Sequence, residues 1–291
     1  MRDEQLRELI ETRVRNPRAV AEAAARRQRP ESLLAEHGRL MMIAADHPAR
    51  GALRAGDRPL AMGNRAELLD RLVLALSRPG VNGVLGTPDV LEDLLLLGAL
   101  EGKVVVGTMN RGGLAGTVFE IDDRFTAYDA ASIAAAGFEG GKMLTRIDPD
   151  DPATVVTLES CATAVSELAD RGLMAMVEPF ISHRVDGRVR NELTADAMTR
   201  AMTVAAGLGH TSAHTWLKVP IVDDMERAMA ATTLPALILG GEVPADIDAA
   251  FASWRKALAL PTVKGLVIGR SLLYPPNDDV AAAVDAAVSL L

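Results

Sequence analysis

The chain has 291 residues, a formal net charge of −8, 49% hydrophobic residues and only 3% aromatics. The acidic balance, with no basic cluster interleaved with aromatics, argues against a nucleic-acid partner, and no run of about twenty apolar residues offers a membrane span. Cys161 is the single cysteine, which excludes an internal disulfide framework and a cysteine-based zinc site.

The N-terminal segment MRDEQLRELIETRVRNPRAVAEAAARRQRP is charged and amphipathic, without the apolar centre of a signal peptide. One or two extra helices over residues 1–38 and a cytoplasmic location are therefore expected. Beyond residue 38, short apolar or Gly-bounded runs alternate with helical patterns. Strands are predicted at 40–46, 83–87, 103–109, 140–147, 173–178, 215–220, 236–240 and 265–269. Helices are predicted at 65–76, 88–97, 127–136, 158–171, 195–208, 223–231 and 247–259, and Cys161 falls in one of them as a buried thiol. Continuous apolar strands separated by helices imply a parallel sheet covered by helices. Eight such units predict an α/β fold, a closed (β/α)8 TIM barrel with an N-terminal helical extension, in which residues 39–291 form one catalytic domain. The helices of residues 1–38 would cover the barrel's N-terminal end or make an oligomer contact, and a homo-oligomer is expected. No GxGxxG follows the first strand, which argues against a doubly wound sheet. The longest irregular connection, 111–126, comes after the third strand.

Chemistry in such barrels sits at the C-terminal ends of the strands. There the chain places Asp46-His47 after the first strand, Asn110-Arg111 after the third, and Lys142 with Arg146 on the fourth. Glu178 ends the fifth strand, Lys218 lies in the sixth, Gly240-Gly241-Glu242 ends the seventh and Gly269-Arg270-Ser271 the eighth. Lys218 is the most informative of these. It is one of five lysines and stands alone in the apolar run TWLKVP. Burial disfavours an ammonium and lowers its pKa, and a neutral amine can attack a carbonyl to form a Schiff base. Glu178 and Asp46 are the candidate acid–base groups, and Lys142 would favour a neutral Lys218 through like-charge repulsion. The competing structural reading is that the carboxylates merely satisfy the lysines as ion pairs. Gly240, Gly241 and Gly269 would leave backbone N–H groups open to a phosphate, with Arg270 adding a forked cation. His47 is a further candidate for lining the substrate pocket. No zinc pattern appears among the five histidines. His210 and His214 precede the sixth strand, at the wrong end of the barrel. No metal and no cofactor are expected.

The motifs AADHPARG on the first strand, LKVP on the sixth and the closing GLVIGRSLLYP resemble class I aldolases of the deoxyribose-phosphate and tagatose-bisphosphate aldolase group, over residues 38–285. Asp46, Lys142, Glu178, Lys218 and Arg270 are also similar, strand by strand, to the set used by class I fructose-bisphosphate aldolases. The resemblance implies an acid–base aspartate, a helper lysine, a general-acid glutamate, a Schiff-base lysine and a phosphate-binding arginine. Two positions depart from it. Pro48 stands where relatives have glycine after the Asp-His pair, and Gly240-Gly241 stands where a serine often assists the phosphate. The chain resembles an actinobacterial barrel subgroup often found with inositol-catabolism enzymes more than it resembles the sugar-bisphosphate aldolases. That implies cleavage of 2-deoxy-5-keto-D-gluconate 6-phosphate to dihydroxyacetone phosphate and malonate semialdehyde, with Arg111, Arg146 and Arg184, near the ends of three strands, as substrate-binding partners for its carboxylate. Alternatives are aldolases for deoxyribose 5-phosphate or tagatose or fructose bisphosphate, a metal-dependent aldolase, and a phosphosugar-binding barrel without catalysis.

Overall fold

The computed structural model describes residues 3–243 and 246–291. Eight parallel strands close into a barrel: β1 (Leu40–Ala45), β2 (Gly83–Gly86), β3 (Val104–Thr108), β4 (Gly140–Ile147), β5 (Met174–Val185), β7 (Thr215–Val219), β8 (Ala236–Leu239) and β9 (Val263–Ile268). Each pairs in parallel with the next, and β9 returns to β1 through Leu40↔Gly265 to Ile43↔Ile268. A (β/α)8 barrel results, as expected, because each apolar strand is followed by a helix that covers its outer face.

The period of two along each strand divides the core into two shells. Leu40, Met42 and Ala44 point inward with Leu85, Val104, Val106, Met174, Met176, Leu237 and Val267. Met41, Ile43, Ala45, Met143, Val177, Leu217 and Val219 point outward against the helices. Aliphatic side chains and methionine fill both shells, which is how a chain with so few aromatics packs a barrel this size.

The outer helices are α3 (Arg65–Ser77), α4 (Pro88–Leu96), α5 (Ala130–Ala135), α6 (Ala153–Ala169), α7 (Ala195–Ala206), α8 (Met225–Met229) and α9 (Ile247–Leu258). The short α10 (Arg270–Leu273) and α11 (Val280–Val288) complete the ring. Several start where the sequence supplies a cap: Asn64 on α3, Asp129 in a capping box on α5 and Thr194 on α7. Cys161 lies buried in α6 with Sγ 3.3 Å from Thr145 Oγ1, and burial pushes its thiol up to about 12.

Two features correct the sequence reading. The fifth strand does not stop at Glu178. It runs on to Val185 and turns back through Asp186-Gly187 into β6 (Arg188–Asn191), an antiparallel hairpin. Both turn residues have positive φ, 49° and 73°, the conformation of a tight two-residue hairpin turn that favours Asp-Gly. The helix expected at 158–171 begins earlier, at Ala153, because Pro152 fits the turn that starts it.

The N-terminal helices α1 (Asp3–Arg15) and α2 (Ala19–Arg26) pack beside α4, where Arg13 pairs with Glu92 at 2.9 Å and Asp93 at 2.7 Å. The segment after them runs beneath the barrel, and Leu33 and Leu34 pack against the inner apolar shell. Its anchor is Arg27, whose fully buried guanidinium donates to Glu139 Oε1 at 2.9 Å and to the Lys103 carbonyl at 2.8 Å. Glu139 Oε2 in turn accepts the Val105 N–H at 2.8 Å. Removing one partner of a buried pair leaves an uncompensated charge. Glu139→Ala is therefore expected to cost about 3–5 kcal/mol, read as a lowered denaturation midpoint, while Arg29→Ala on the same carboxylate's exposed side costs far less.

Candidate active site

Inward parity, carried one layer above the apolar shell, delivers the charged residues to the C-terminal mouth. Asp46 continues Leu40, Met42 and Ala44; Glu178 continues Met174 and Met176; Lys218 follows Trp216, and Lys142 lies two residues past Gly140. Asp46, Lys142, Glu178 and Lys218 are all less than one-tenth exposed, and they touch. Glu178 holds Lys218 Nζ on Oε1 at 2.9 Å and Lys142 Nζ on Oε2. Lys142 Nζ also donates to Asp46 Oδ2 at 3.1 Å, and Arg111 sits on that same oxygen. Arg111 is fixed from behind, with Nε donating to Thr108 Oγ1 at 3.0 Å.

The electrostatics follow from burial and charge count. Burial lowers the pKa of Lys218, Glu178 opposes this, and the Arg111 and Arg270 charges reinforce it. Lys142 is driven further down, well below the ordinary lysine range, by burial and then by the Lys218 and Arg111 charges against the pull of Glu178. Both lysines are thus lowered in a shared field of positive charge, to which Arg111 contributes at each and Arg270 at Lys218. Burial works against the Glu178 charge, but the two lysines outweigh it and hold its pKa far below the carboxylate range. Burial lowers Arg111 to about 10, so it stays charged at neutral pH.

These ion pairs do not fill the mouth. A cavity of about 390 Å3 opens onto Asp46, His47, Lys142, Glu178 and Lys218 and extends to Gly240, Gly241, Gly269 and Arg270. At that end a side chain at Gly240 would meet Ile268 Cγ2 at 2.7 Å, and one at Gly269 would meet the Ala44 carbonyl at 2.5 Å and His47 Cε1 at 3.0 Å. Glycine keeps this wall open. Arg270 reaches the Arg54 and Gly241 carbonyls at 3.3 Å each, its Nε has no partner, and Ser271 Oγ is buried and unpaired. His47 Nδ1 is also unpaired and lies 3.8 Å from Asp46 Oδ1. Burial, with the Arg270 and Lys218 charges, holds its imidazole well below the ordinary range, so the ring is neutral at physiological pH.

The opposite wall is arginine-rich. Arg146 lines the cavity and pairs with Glu120 at 2.9 Å, leaving Nε unpartnered. Arg50, which sequence reasoning passed over inside AADHPARG, pairs with Asp123 at 2.6 Å and binds the Asn110 carbonyl at 2.9 Å. It ties the 111–126 connection to the end of β1. Arg184, by contrast, points away from the cavity lining to Asp151 at 3.0 Å. Phe180, Asn191 and Leu193 also line the cavity, and all three come from the hairpin region that the sequence reading had not resolved. The Asp-Gly pair was the signal that could have found it. His210 pairs with Asp170 at 3.2 Å and His214 precedes β7, both far from the mouth. Among the described residues no group of three or more His, Cys, Asp and Glu side chains is arranged to hold a metal ion.

Fold and site together define a (β/α)8 barrel with a lysine–carboxylate centre in its C-terminal mouth. The chain belongs to the Cgl0159-like family, whose profile matches residues 38–288. The crystal structure of Cgl0159 from Corynebacterium glutamicum is 52% identical, with a TM-score of 0.97 over 100% of this chain and 97% of that one. A Schiff-base-forming fructose-1,6-bisphosphate aldolase superposes with a TM-score of 0.66 at 17% identity, covering 93% of this chain and 99% of that one. A fructose-bisphosphate aldolase from Slackia heliotrinireducens gives 0.64 at 14% identity, covering 95% and 91%. At that identity the likeness is one of fold. No curated protein sequence matches the chain.

The neutral state of His47 can be read directly. Its ring signals in two-dimensional NMR should not titrate between about pH 6 and 8. Arg270→Gln, which removes a neighbouring positive charge, should move the His47 midpoint upward.

Proposed function

We propose that this protein is a metal-independent class I aldolase whose Schiff base forms on Lys218. One observation carries the reading: a buried amine faces an open cavity with a carboxylate 2.9 Å away and a second amine on that carboxylate's other oxygen. Buried ion pairs bring little net stability, so a cluster of two lysines and two carboxylates around a cavity is better explained by chemistry. The fold shared with a Schiff-base-forming aldolase supports the same reading.

In this mechanism Glu178 takes a proton from Lys218, and the neutral Nζ attacks the substrate ketone. A proton passes from the new ammonium nitrogen to the alkoxide, and Glu178 returns its own proton to the resulting carbinolamine hydroxyl, which leaves as water and gives the iminium. Asp46 accepts the proton of the hydroxyl on the far carbon of the bond to be broken, the carbon that becomes the aldehyde. That bond's electron pair flows into the iminium and forms an enamine, and an aldehyde departs. The enamine carbon is reprotonated, water adds to the regenerated iminium, and the ketone product leaves Lys218 free. Lys142, fixed between Asp46 and Glu178, orients both carboxylates.

The substrate we favour is 2-deoxy-5-keto-D-gluconate 6-phosphate, cleaved to dihydroxyacetone phosphate and malonate semialdehyde. Its ketone is one carbon from the phosphate ester, which suits a cradle of Gly240, Gly241, Gly269 and Arg270 beside Lys218, with His47 at its edge. Its carboxylate would lie toward Arg146 and Arg111 on the opposite wall, where two charges allow forked recognition. This substrate, which rests on the resemblance above, would assign the reaction to inositol catabolism.

Incubation with dihydroxyacetone phosphate and borohydride should add the reduced adduct's mass at Lys218, located by peptide mass spectrometry. Modification at another lysine, or at none, would count against the assignment. In a coupled assay, 2-deoxy-5-keto-D-gluconate 6-phosphate should give a kcat/KM above those of deoxyribose 5-phosphate and tagatose or fructose bisphosphate. Arg146→Gln should lower that kcat/KM by about tenfold or more, the cost of one lost charged contact.

A further inference from the structure

Three cations meet two carboxylates at the centre of this barrel. Arg111 and Lys142 share a single oxygen of Asp46, while Lys142 and Lys218 divide the two oxygens of Glu178. The other charges around Lys218 do not remove this surplus. Arg146 is matched by Glu120 and Arg50 by Asp123. Just past the end of β1 the remaining group is His47, which is neutral. At the end of β9 Arg270 adds positive charge, and Glu242, past the end of β8, is exposed and no nearer than 4.0 Å to it. A buried surplus of one charge is costly, and the cheapest relief is loss of a proton. A guanidinium cannot supply that proton. The two lysines can.

We infer that Arg111 is a positioning residue that forces Lys142 and Lys218 to hold one proton fewer between them, and so keeps a neutral amine beside Glu178 before any substrate arrives. Its geometry fits this role. The guanidinium is 6% exposed, fixed by Thr108 at one nitrogen and by Asp46 at another, so its charge can neither swing into solvent nor leave the cluster. By occupying Asp46 it also denies Lys142 a private counter-ion, and Lys142 must lean on the carboxylate that Lys218 needs. The role rests on Lys218 being the reacting amine, but the ionisation it describes exists in the free protein. It is also separate from any contact that Arg111 makes with a substrate anion.

The test therefore needs no substrate. The protein is labelled briefly with acetic anhydride across a pH series, and acetylation at Lys142 and Lys218 is quantified by peptide mass spectrometry, since only the neutral amine reacts. The wild-type pair should begin to react well below the range of an ordinary lysine. In Arg111→Met the lower of the two midpoints should rise by about one pH unit or more, which is roughly tenfold less labelling at neutral pH. Asp46→Asn removes a negative charge and should move the same midpoint down. An unmoved midpoint in Arg111→Met overturns the inference, even if KM for a phosphorylated ketone rises, because Arg111 would then be a binding residue alone. If Arg111→Met does not fold, the Asp46→Asn arm decides: a fall supports the charge count, and no change or a rise overturns it. Borohydride trapping in the wild type reports separately on the aldolase reading. Its failure alongside a shifted midpoint would leave the charge count standing and remove the reaction.

Discussion

Everything at this site follows from Glu178 having to serve two lysine amines at once. A carboxylate has two oxygens, and here each is committed to a different lysine in a region where water contributes little screening. Neither amine has a counter-ion of its own. The carboxylate stays ionised because both lysines hold it so, and the lysines are weakened as bases because burial opposes their charge and one anion is divided between them. The competing reading, in which the acids simply satisfy the lysines, accounts for the contacts but not for the open volume above them or for the third cation on Asp46.

The barrel supplies this arrangement through strand parity. A residue two positions beyond an inward-facing aliphatic faces inward as well, so Asp46, Glu178 and Lys218 are aimed by the same alternation that packs the core. Closure then brings together side chains that are far apart in sequence: Lys142 and Asp46 are 96 residues apart along the chain. No local feature of the chain encodes that contact. It depends on β1 and β4 facing each other across a closed ring of strands.

This explains what could be read from the residues alone. The eight strands were legible because each is a short apolar run bounded by glycine or a polar residue, and the inward-facing charges stood out as interruptions at the strand ends. Lys218 stood out because a lone lysine interrupts the apolar run TWLKVP, whatever carboxylate it then meets. The β5–β6 hairpin was not, since its second strand, RVRN, is polar and half-solvated and its only strong mark is Asp-Gly. The partners of Arg111, Arg146 and Arg184 were equally hidden. Each lies near a strand end, yet one meets Asp46, one Glu120 and one Asp151. Which carboxylate an arginine finds depends on how the 111–126 connection folds, a matter of loop geometry rather than of pattern. Arg50 was missed for the same reason: its role is to pin that connection, and its partners lie 60 or more residues away in sequence.

The packing beneath the charged layer has a consequence for traffic. Leucine, methionine and valine fill the barrel's interior below Asp46 and Lys142, and Leu33 and Leu34 close it from underneath. Among the described residues that inner cluster is hydrocarbon, so a hydrogen ion exchanged by the two amines meets solvent at the mouth rather than through the plug. It must come and go by the same doorway as the guest molecule. A bound guest therefore stands between the two amines and bulk water, so proton exchange and substrate exchange share one opening.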